Sequence, residues 1–241
     1  RTRQESWRVG SLWQASNATT VTLGTPLTRD QVRSIDFHTD YDVADEAGGH
    51  NLLHAAFAQG LPIFEATTYN DPLKSRAYGD STYSILKIDV ARVQPLVMFT
   101  PSLDQFSFYL AGSSQIDIAH PLLSATQCSY GGSVYGRGYD SGALSGDHCA
   151  MGLVELRRDI SDNTGVWQPY ASYDIGGTWQ KGPLTENEPR FLGAESVAMG
   201  VRMLYANQVN SDLQLAIPLR GSPSEMGLGH PRLFYTLEFQ F

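Results

Sequence analysis

The chain has 241 residues and a formal net charge of −8, which argues against a nucleic-acid-binding surface because such a surface needs clustered Lys and Arg to neutralise phosphates. Charged residues make up only 17% of the chain and aromatic residues reach 11%, whereas a soluble domain carries roughly 25% charged residues. No stretch approaches the roughly 18 consecutive apolar residues of a membrane-spanning helix, so a membrane protein of this composition would have to cross with strands.

Apolar and polar side chains alternate along much of the chain, which is the pattern of a strand with one apolar and one polar face. The alternation is clearest at residues 34–43, where odd positions are mostly apolar and even positions are polar. Similar patterns indicate strands at 7–14, 51–60, 86–90, 106–112, 150–157, 166–174, 197–206, 211–219 and 233–241. The sequence therefore predicts an all-β, antiparallel protein with about ten strands.

Polar segments of unequal length separate the predicted strands. A tight turn is predicted at 207–210, while longer segments occupy 61–81, 117–148 and 180–194. Short turns alternating with long loops are typical of transmembrane β-barrels of the outer membrane. A soluble β-sandwich also has many short strands, so this pattern alone leaves a carbohydrate-binding sandwich as an alternative.

The last predicted strand carries large apolar residues at every second position. Tyr235, Leu237, Phe239 and Phe241 share one face with Leu233, and the residues between them are mostly polar. A terminal aromatic strand of this kind resembles the signal that bacterial outer-membrane barrels present to their assembly machinery. We expect the apolar face to contact outer-membrane lipid and the polar face to line a lumen.

Cys128 and Cys149 flank a Gly-rich segment that has no His or Cys at zinc-site spacing. In an oxidising compartment they can form one disulfide that closes a loop of about 20 residues, and two unpaired thiols are the alternative. The histidines are scattered, and Ser145–His148 lacks the Gly-x-Ser-x-Gly context of a nucleophile elbow. We therefore expect no metal, no cofactor and no catalytic residue.

The segment CSYGGSVYGRGYDSGALSGDHCAMGLVELRRD, which begins at Cys128, resembles the long infolded external loop and following strand of the two-partner secretion transporters. This is the TpsB, or FhaC/ShlB-like, family, which shares a superfamily with the barrel-assembly protein BamA. Gly136, Arg137, Gly138 and Tyr139 resemble its Val-Arg-Gly-Tyr motif, with Gly136 in place of Val. The segments at 59–61, 75–76, 168–176 and 216–219 also resemble family segments.

The resemblance implies that loop 117–148 folds into the lumen and that Arg137 reaches Asp174 on the inner wall, since a guanidinium can bind a carboxylate with two parallel hydrogen bonds. We expect this pair to specify the position of the loop rather than to add stability, because desolvation offsets the attraction of buried charges. The supporting residues implied are Gly131, Gly132, Asp147, Glu155 and Gly176. A solvated surface loop is the alternative reading.

Transporters of this family have about sixteen strands, preceded by periplasmic POTRA domains. The resemblance thus implies that residues 1–241 are the C-terminal portion of the barrel, with the POTRA domains and early strands supplied elsewhere. Closure on ten strands alone would leave a lumen mostly filled by side chains. The implied function is export of a large, unfolded haemolysin- or adhesin-type partner across the bacterial outer membrane. A barrel-assembly or insertion factor and a passive porin are the alternatives.

Overall fold

The computed structural model describes residues 5–184, 188–206, 208–220 and 229–240, and in these ranges the regular structure is strands and three short 3₁₀ turns. No helix among them is long and apolar enough to cross a membrane. The strands are β1 (Glu5–Thr22), β2 (Thr25–Ala44), β3 (His50–Gly60), β4 (Ser84–Pro95), β5 (Phe106–Asp117), β6 (Cys128–Tyr130), β7 (Leu144–Gly146), β8 (His148–Arg158), β9 (Ile160–Ser161), β10 (Gly165–Trp179), β11 (Phe191–Tyr205), β12 (Val209–Pro218) and β13 (Arg232–Phe239).

Ten long strands form one antiparallel sheet in the order β1-β2-β3-β4-β5-β8-β10-β11-β12-β13. The two-residue strand β9 pairs with β10, and β6 pairs with β7 as a separate ribbon. Across the described ranges β1 and β13 do not pair with each other. The prediction of an all-β antiparallel fold is confirmed. The sandwich alternative is wrong, because it needs two sheets packed face to face.

All ten predicted strands are present, and most are longer than predicted. The largest extensions are in β1 and β2, which have 18 and 20 residues, about twice the 9–11 that cross a bilayer. Polar residues dominate both faces at 15–31, so the alternation that reveals a half-apolar strand disappears there while the backbone pairing continues. The β6–β7 ribbon was not predicted, since each strand has only three residues.

The two faces of the sheet have opposite character. On one face large apolar side chains are exposed, including Phe37, Leu110 and Ile175. On the other face Glu155 and Asp174 are fully buried. Because consecutive side chains of a strand point to opposite faces, this is an apolar exterior around a polar interior, the inverse of a soluble protein and the pattern of a transmembrane barrel wall.

The connections differ at the two ends of the sheet. At one end, called here the short-loop end, they cover 45–49, 96–105, 159–164 and 206–208. At the other, the long-loop end, they cover 61–83, 118–147, 180–190 and 219–231, beside the tight β1–β2 turn at Leu23-Gly24. Residue 207 of the predicted turn lies outside the described residues. Residues 118–147, which join β5 to β8, are called the infolded loop below.

Candidate functional site

The infolded loop lies on the polar face of the sheet. Its β6–β7 ribbon carries a tip, residues 131–143, that packs against β8, β10, β11 and β12. Tyr130 and Leu144 at the base of the tip are fully buried, and Tyr139 is nearly so. These three residues form an apolar cluster with Ala194 of β11. The loop is therefore part of the packed interior, and the reading of it as a solvated surface loop is wrong.

Arg137 at the tip is 6% exposed, and its guanidinium binds the wall through β8 and β10. Nη1 donates to Oε2 of Glu155 and to Oγ of Ser172, each at 3.0 Å. The expected partner, Asp174, is not bonded to Arg137, and this part of the prediction is corrected. Glu155 of β8 pairs in register with Ser172 of β10, which is two residues before Asp174 on the same strand. The guanidinium therefore binds the carboxylate of Glu155, which lies on the same face as Asp174.

Glu155 is the centre of a charged cluster. Its carboxylate is fully buried and also accepts Nε of Arg157 at 2.7 Å. Arg202 of β11 donates Nη1 at 2.7 Å and Nη2 at 3.2 Å to the two carboxylate oxygens and lies over the ring of Tyr170 at 3.9 Å. We call Glu155, Arg137, Arg157 and Arg202 the glutamate–arginine cluster. A buried carboxylate is costly without partners, and the three guanidinium groups around Glu155 offset this cost.

Asp174 binds the loop by another route. It is fully buried, and its Oδ1 accepts the hydroxyl of Tyr130 at 2.5 Å and the amide of Gly136 at 2.8 Å. Ser196, its register partner on β11, donates its hydroxyl to Asp174 at 2.9 Å and accepts the Gly138 amide at 3.1 Å. The backbone on both sides of Arg137 is therefore fixed to the wall by the Asp174–Ser196 pair.

Two glycines permit this close approach. A Cβ on Gly138 would lie 2.6 Å from the backbone nitrogen of Pro218, and a Cβ on Gly176 would lie 2.3 Å from the Tyr130 ring. Tyr139 completes the motif, since its hydroxyl bonds to the carbonyls of Glu195 and Arg220 at 2.9 and 2.8 Å. The motif thus uses backbone as well as side chains, and together its residues contact β8, β10, β11 and the end of β12.

The base of the loop is fixed at the long-loop end. Cys128 and Cys149 are joined by a disulfide. Asp147 is fully buried and binds Arg76, with Nη1 at 2.6 Å and Nη2 at 3.1 Å from its two oxygens. It also accepts the amides of Leu122 at 2.7 Å and Lys181 at 2.6 Å. Asp147 therefore joins three long loops.

Several residues of the site were missed by sequence reasoning. They are Tyr130, Ser196 and Arg202, and Arg76 was noted only as part of a family segment. Ser172 lies at even spacing with Asp174 on β10, so the strand pattern does place it on the polar face. Ser196 and Arg202 become visible only with the β10–β11 register, which sequence alone does not provide.

The predicted assembly signal lies on β13. Tyr235, Leu237 and Phe239 are exposed on the apolar face of this strand. Phe241 lies outside the described residues. The role of these residues in assembly stays a prediction.

A single meandering sheet with an apolar exterior, and a loop pinned inside it by a buried arginine, defines a transmembrane β-barrel with an infolded loop. Residues 27–203 match the haemolysin secretion/activation protein family ShlB/FhaC/HecB. The chain belongs to this family, whose members are outer-membrane β-barrel transporters and not enzymes. Comparison with curated proteins gives no match.

Two solved structures show the same fold. CdiB from Escherichia coli superposes with a TM-score of 0.79 at 16% identity, over 99% of this chain and 42% of that chain. CdiB from Acinetobacter baumannii superposes with a TM-score of 0.72 at 15% identity, over 99% of this chain and 39% of that chain. The chain thus spans about two fifths of the length of these proteins.

Proposed function

We propose that this chain is the C-terminal portion of the pore of a two-partner secretion transporter in the bacterial outer membrane. Its substrate would be a large partner protein of the haemolysin or adhesin type, exported as an unfolded chain. The observation that carries the proposal is the infolded loop pinned by Arg137 to Glu155 in a chain of this family. A simple porin would not need a buried ion pair between its loop and its wall.

Completion of the barrel is part of this proposal. The open edges of β1 and β13 would leave backbone groups unpaired in lipid, where they cannot be satisfied by water. The matched structures are more than twice as long as this chain. We propose that further strands close the sheet and that periplasmic POTRA domains capture the partner, while β13 engages the barrel-assembly machinery.

In such a barrel the short-loop end faces the periplasm and the long-loop end faces outward. The partner would pass along the polar face as an extended chain, and the infolded loop occupies this path. Export involves no chemical step, so the work of the site is to position the loop and to release it. The glutamate–arginine cluster and the Asp174–Ser196 pair are the contacts that must be exchanged.

The test is export of a co-expressed partner by the full-length transporter. We expect Arg137→Ala and Glu155→Gln to lower the amount of partner outside the cell, because the loop loses its fixed position. The matched control is Arg158→Ala, which removes an exposed arginine from β8, the strand that carries Glu155. The level of folded barrel in the outer membrane, followed by heat-modifiable gel mobility, separates a transport defect from an assembly defect. Normal export by both variants, with normal barrel levels, would contradict the proposal.

A further inference from the structure

We propose that the infolded loop has two independent attachments, and that only its tip is released during export while its root stays fixed. The tip lock consists of Arg137–Glu155 and the contacts of Asp174 and Ser196 with the loop backbone. The root clamp consists of the Cys128–Cys149 disulfide and the Arg76–Asp147 ion pair. This inference rests on the proposed export function and adds the manner of opening.

The disulfide closes the β6–β7 ribbon and the tip into a covalent ring that runs from Cys128 to Cys149. Cys128 is the first residue of β6 and pairs in register with Gly146 of β7, while Cys149 is the second residue of β8. Residues 129–148 are therefore enclosed between two points that are covalently joined. However the tip moves, Cys128 stays beside the β8 wall, so the loop cannot leave the lumen as one unit.

The ion pair reinforces the same place from another loop. Arg76 belongs to the 61–83 connection and binds both oxygens of Asp147, which has no exposed surface. A guanidinium that meets a buried carboxylate with two parallel hydrogen bonds fixes orientation as well as distance. Gln180, from the 180–190 connection, accepts Nη2 of the same arginine at 2.9 Å. The root is thus held by two neighbouring loops.

The segment that leads into the ring is also immobilised. Leu122 and Leu123 are fully buried and pack in an apolar cluster with Val32, Ala58 and Ile85 from the opposite part of the sheet. Residues 118–127 therefore lie fixed against the β2–β4 side, whereas the tip is bound on the β8–β12 side. The loop spans the polar face and is anchored at both sides.

The tip differs from the root because the root includes a covalent bond, the disulfide. Every contact of the tip lock is non-covalent and can be exchanged for contacts with water or with a passing polypeptide. The tip joins the β6–β7 ribbon through three glycines with positive φ: Gly131 (118°), Gly132 (117°) and Gly142 (72°). These positions favour glycine because a positive φ strains other residues. We expect the tip to move relative to the ribbon by backbone rotation at these glycines.

The experiment is single-channel conductance of the purified full-length transporter in planar lipid bilayers. Four proteins are compared: wild type, Arg137→Ala, the double variant C128S/C149S, and the combination of all three changes. We expect wild type and C128S/C149S to stay closed because the tip lock is intact. Arg137→Ala should raise the fraction of time in a partly open level by about tenfold or more, and only the combination should reach a second, larger level.

A reductant can break the disulfide in the folded protein, so the same test can be made without the C128S/C149S substitutions. The phosphine TCEP donates two electrons to the disulfide, which becomes two thiols, while water supplies the two protons and its oxygen forms the phosphine oxide. Added to folded Arg137→Ala channels, it should produce the larger level, and it should leave channels of the combined variant unchanged. Arg76→Gln in the Arg137→Ala background should move the conductance in the same direction.

Two outcomes would overturn the inference. One is that Arg137→Ala shows the same conductance levels with and without the disulfide. The other is that C128S/C149S alone opens fully, which would make the root the principal lock. Export of a co-expressed partner by wild type is measured separately, since its absence would refute the proposed function and not the two-point attachment.

Discussion

At the scale of single residues, the partner of Arg137 is decided by which carboxylate is already occupied. Asp174 and Glu155 lie on neighbouring strands and the same face, two residues apart in register. Asp174 is saturated by Tyr130, the Gly136 amide and Ser196. The guanidinium therefore binds Glu155, where two further arginines share the charge.

A double-mutant cycle distinguishes these roles. Arg137→Ala combined with Glu155→Gln should show a coupling free energy of about 1–3 kcal/mol, because the two side chains interact directly. Arg137→Ala combined with Asp174→Asn should couple less, since Asp174 binds the loop backbone. The measurement is the free energy of urea unfolding of the barrel in detergent micelles. Equal or stronger coupling with Asp174 would show that the register does not select the partner.

Gly176 offers a test of the close approach between loop and wall. Gly176→Ala would place its Cβ 2.3 Å from the Tyr130 ring, whose hydroxyl is held by Asp174. We expect a loss of about 1–3 kcal/mol in unfolding free energy, as is usual for overpacking, together with reduced partner export. The matched control is Gly152→Ala on β8, where the nearest atom would be 3.9 Å away. A similar loss in both variants would attribute the effect to glycine in a strand and not to the contact.

At the scale of elements, strand existence and strand length have different causes. A half-apolar face reveals a strand in the sequence, so the membrane-crossing parts of β2, β4 and β13 were predicted. The pairing of β1 with β2 continues to Leu23-Gly24 through residues that are polar on both faces. Backbone hydrogen bonds need no apolar side chains, and the extension is therefore invisible to periodicity.

The turn between β2 and β3 gives a pH-dependent prediction. Asp45 accepts bonds from Arg92, Asn51 and the Gly49 amide, and these hold the pKa of its carboxyl below the ordinary 3.8, at about 2. A depressed pKa means that the ionised group stabilises the turn above pH 3.8 and that this contribution is lost as pH falls towards 2.

The measurement is the hydrogen-exchange protection factor of the Gly49 amide between these pH values. It should fall with pH in wild type and stay low and constant in Asp45→Asn, which keeps the shape without the charge. A pH profile that is unchanged by the substitution would show that another group controls this turn.

At the scale of the whole molecule, the solvent determines which face is polar. The exposed face carries Phe37, Leu110 and Tyr235, while the buried face carries Glu155 and Asp174. Such an arrangement is unfavourable in water, because the exposed apolar surface would be hydrated. In a bilayer it places apolar residues against lipid and leaves the charged ones to pair inside.

Charge on the two faces should therefore have unequal effects. Leu110→Arg, near the middle of β5 on the exposed face, should cost roughly 2–4 kcal/mol if it lies at the bilayer midplane. Ser113→Arg, on the polar face of the same strand, is the matched control and should cost much less. The free energy of unfolding from lipid vesicles measures both. Equal costs would contradict the assignment of the faces.

The candidate site shows where sequence reasoning ends. Motif resemblance identified four residues of the site: Arg137, Tyr139, Asp174 and Glu155. Even spacing on β10 places Asp174 on the polar face. The hydrogen-bond partners could not be named, because they depend on residues far apart in the chain, such as Arg202 and Glu155. A one-residue difference in strand register would change each of these pairs.

The amino-acid sequence alone determined that the chain is all-β, where its ten long strands lie, and which loop carries the arginine motif, because periodicity and motif are local properties of the chain. Only the tertiary structure decided that Arg137 binds Glu155, that Asp174 holds the loop backbone, and that Arg76 meets Asp147. These contacts join strands and loops that become neighbours only when the sheet has formed, and the low dielectric between them makes each choice of partner costly to change.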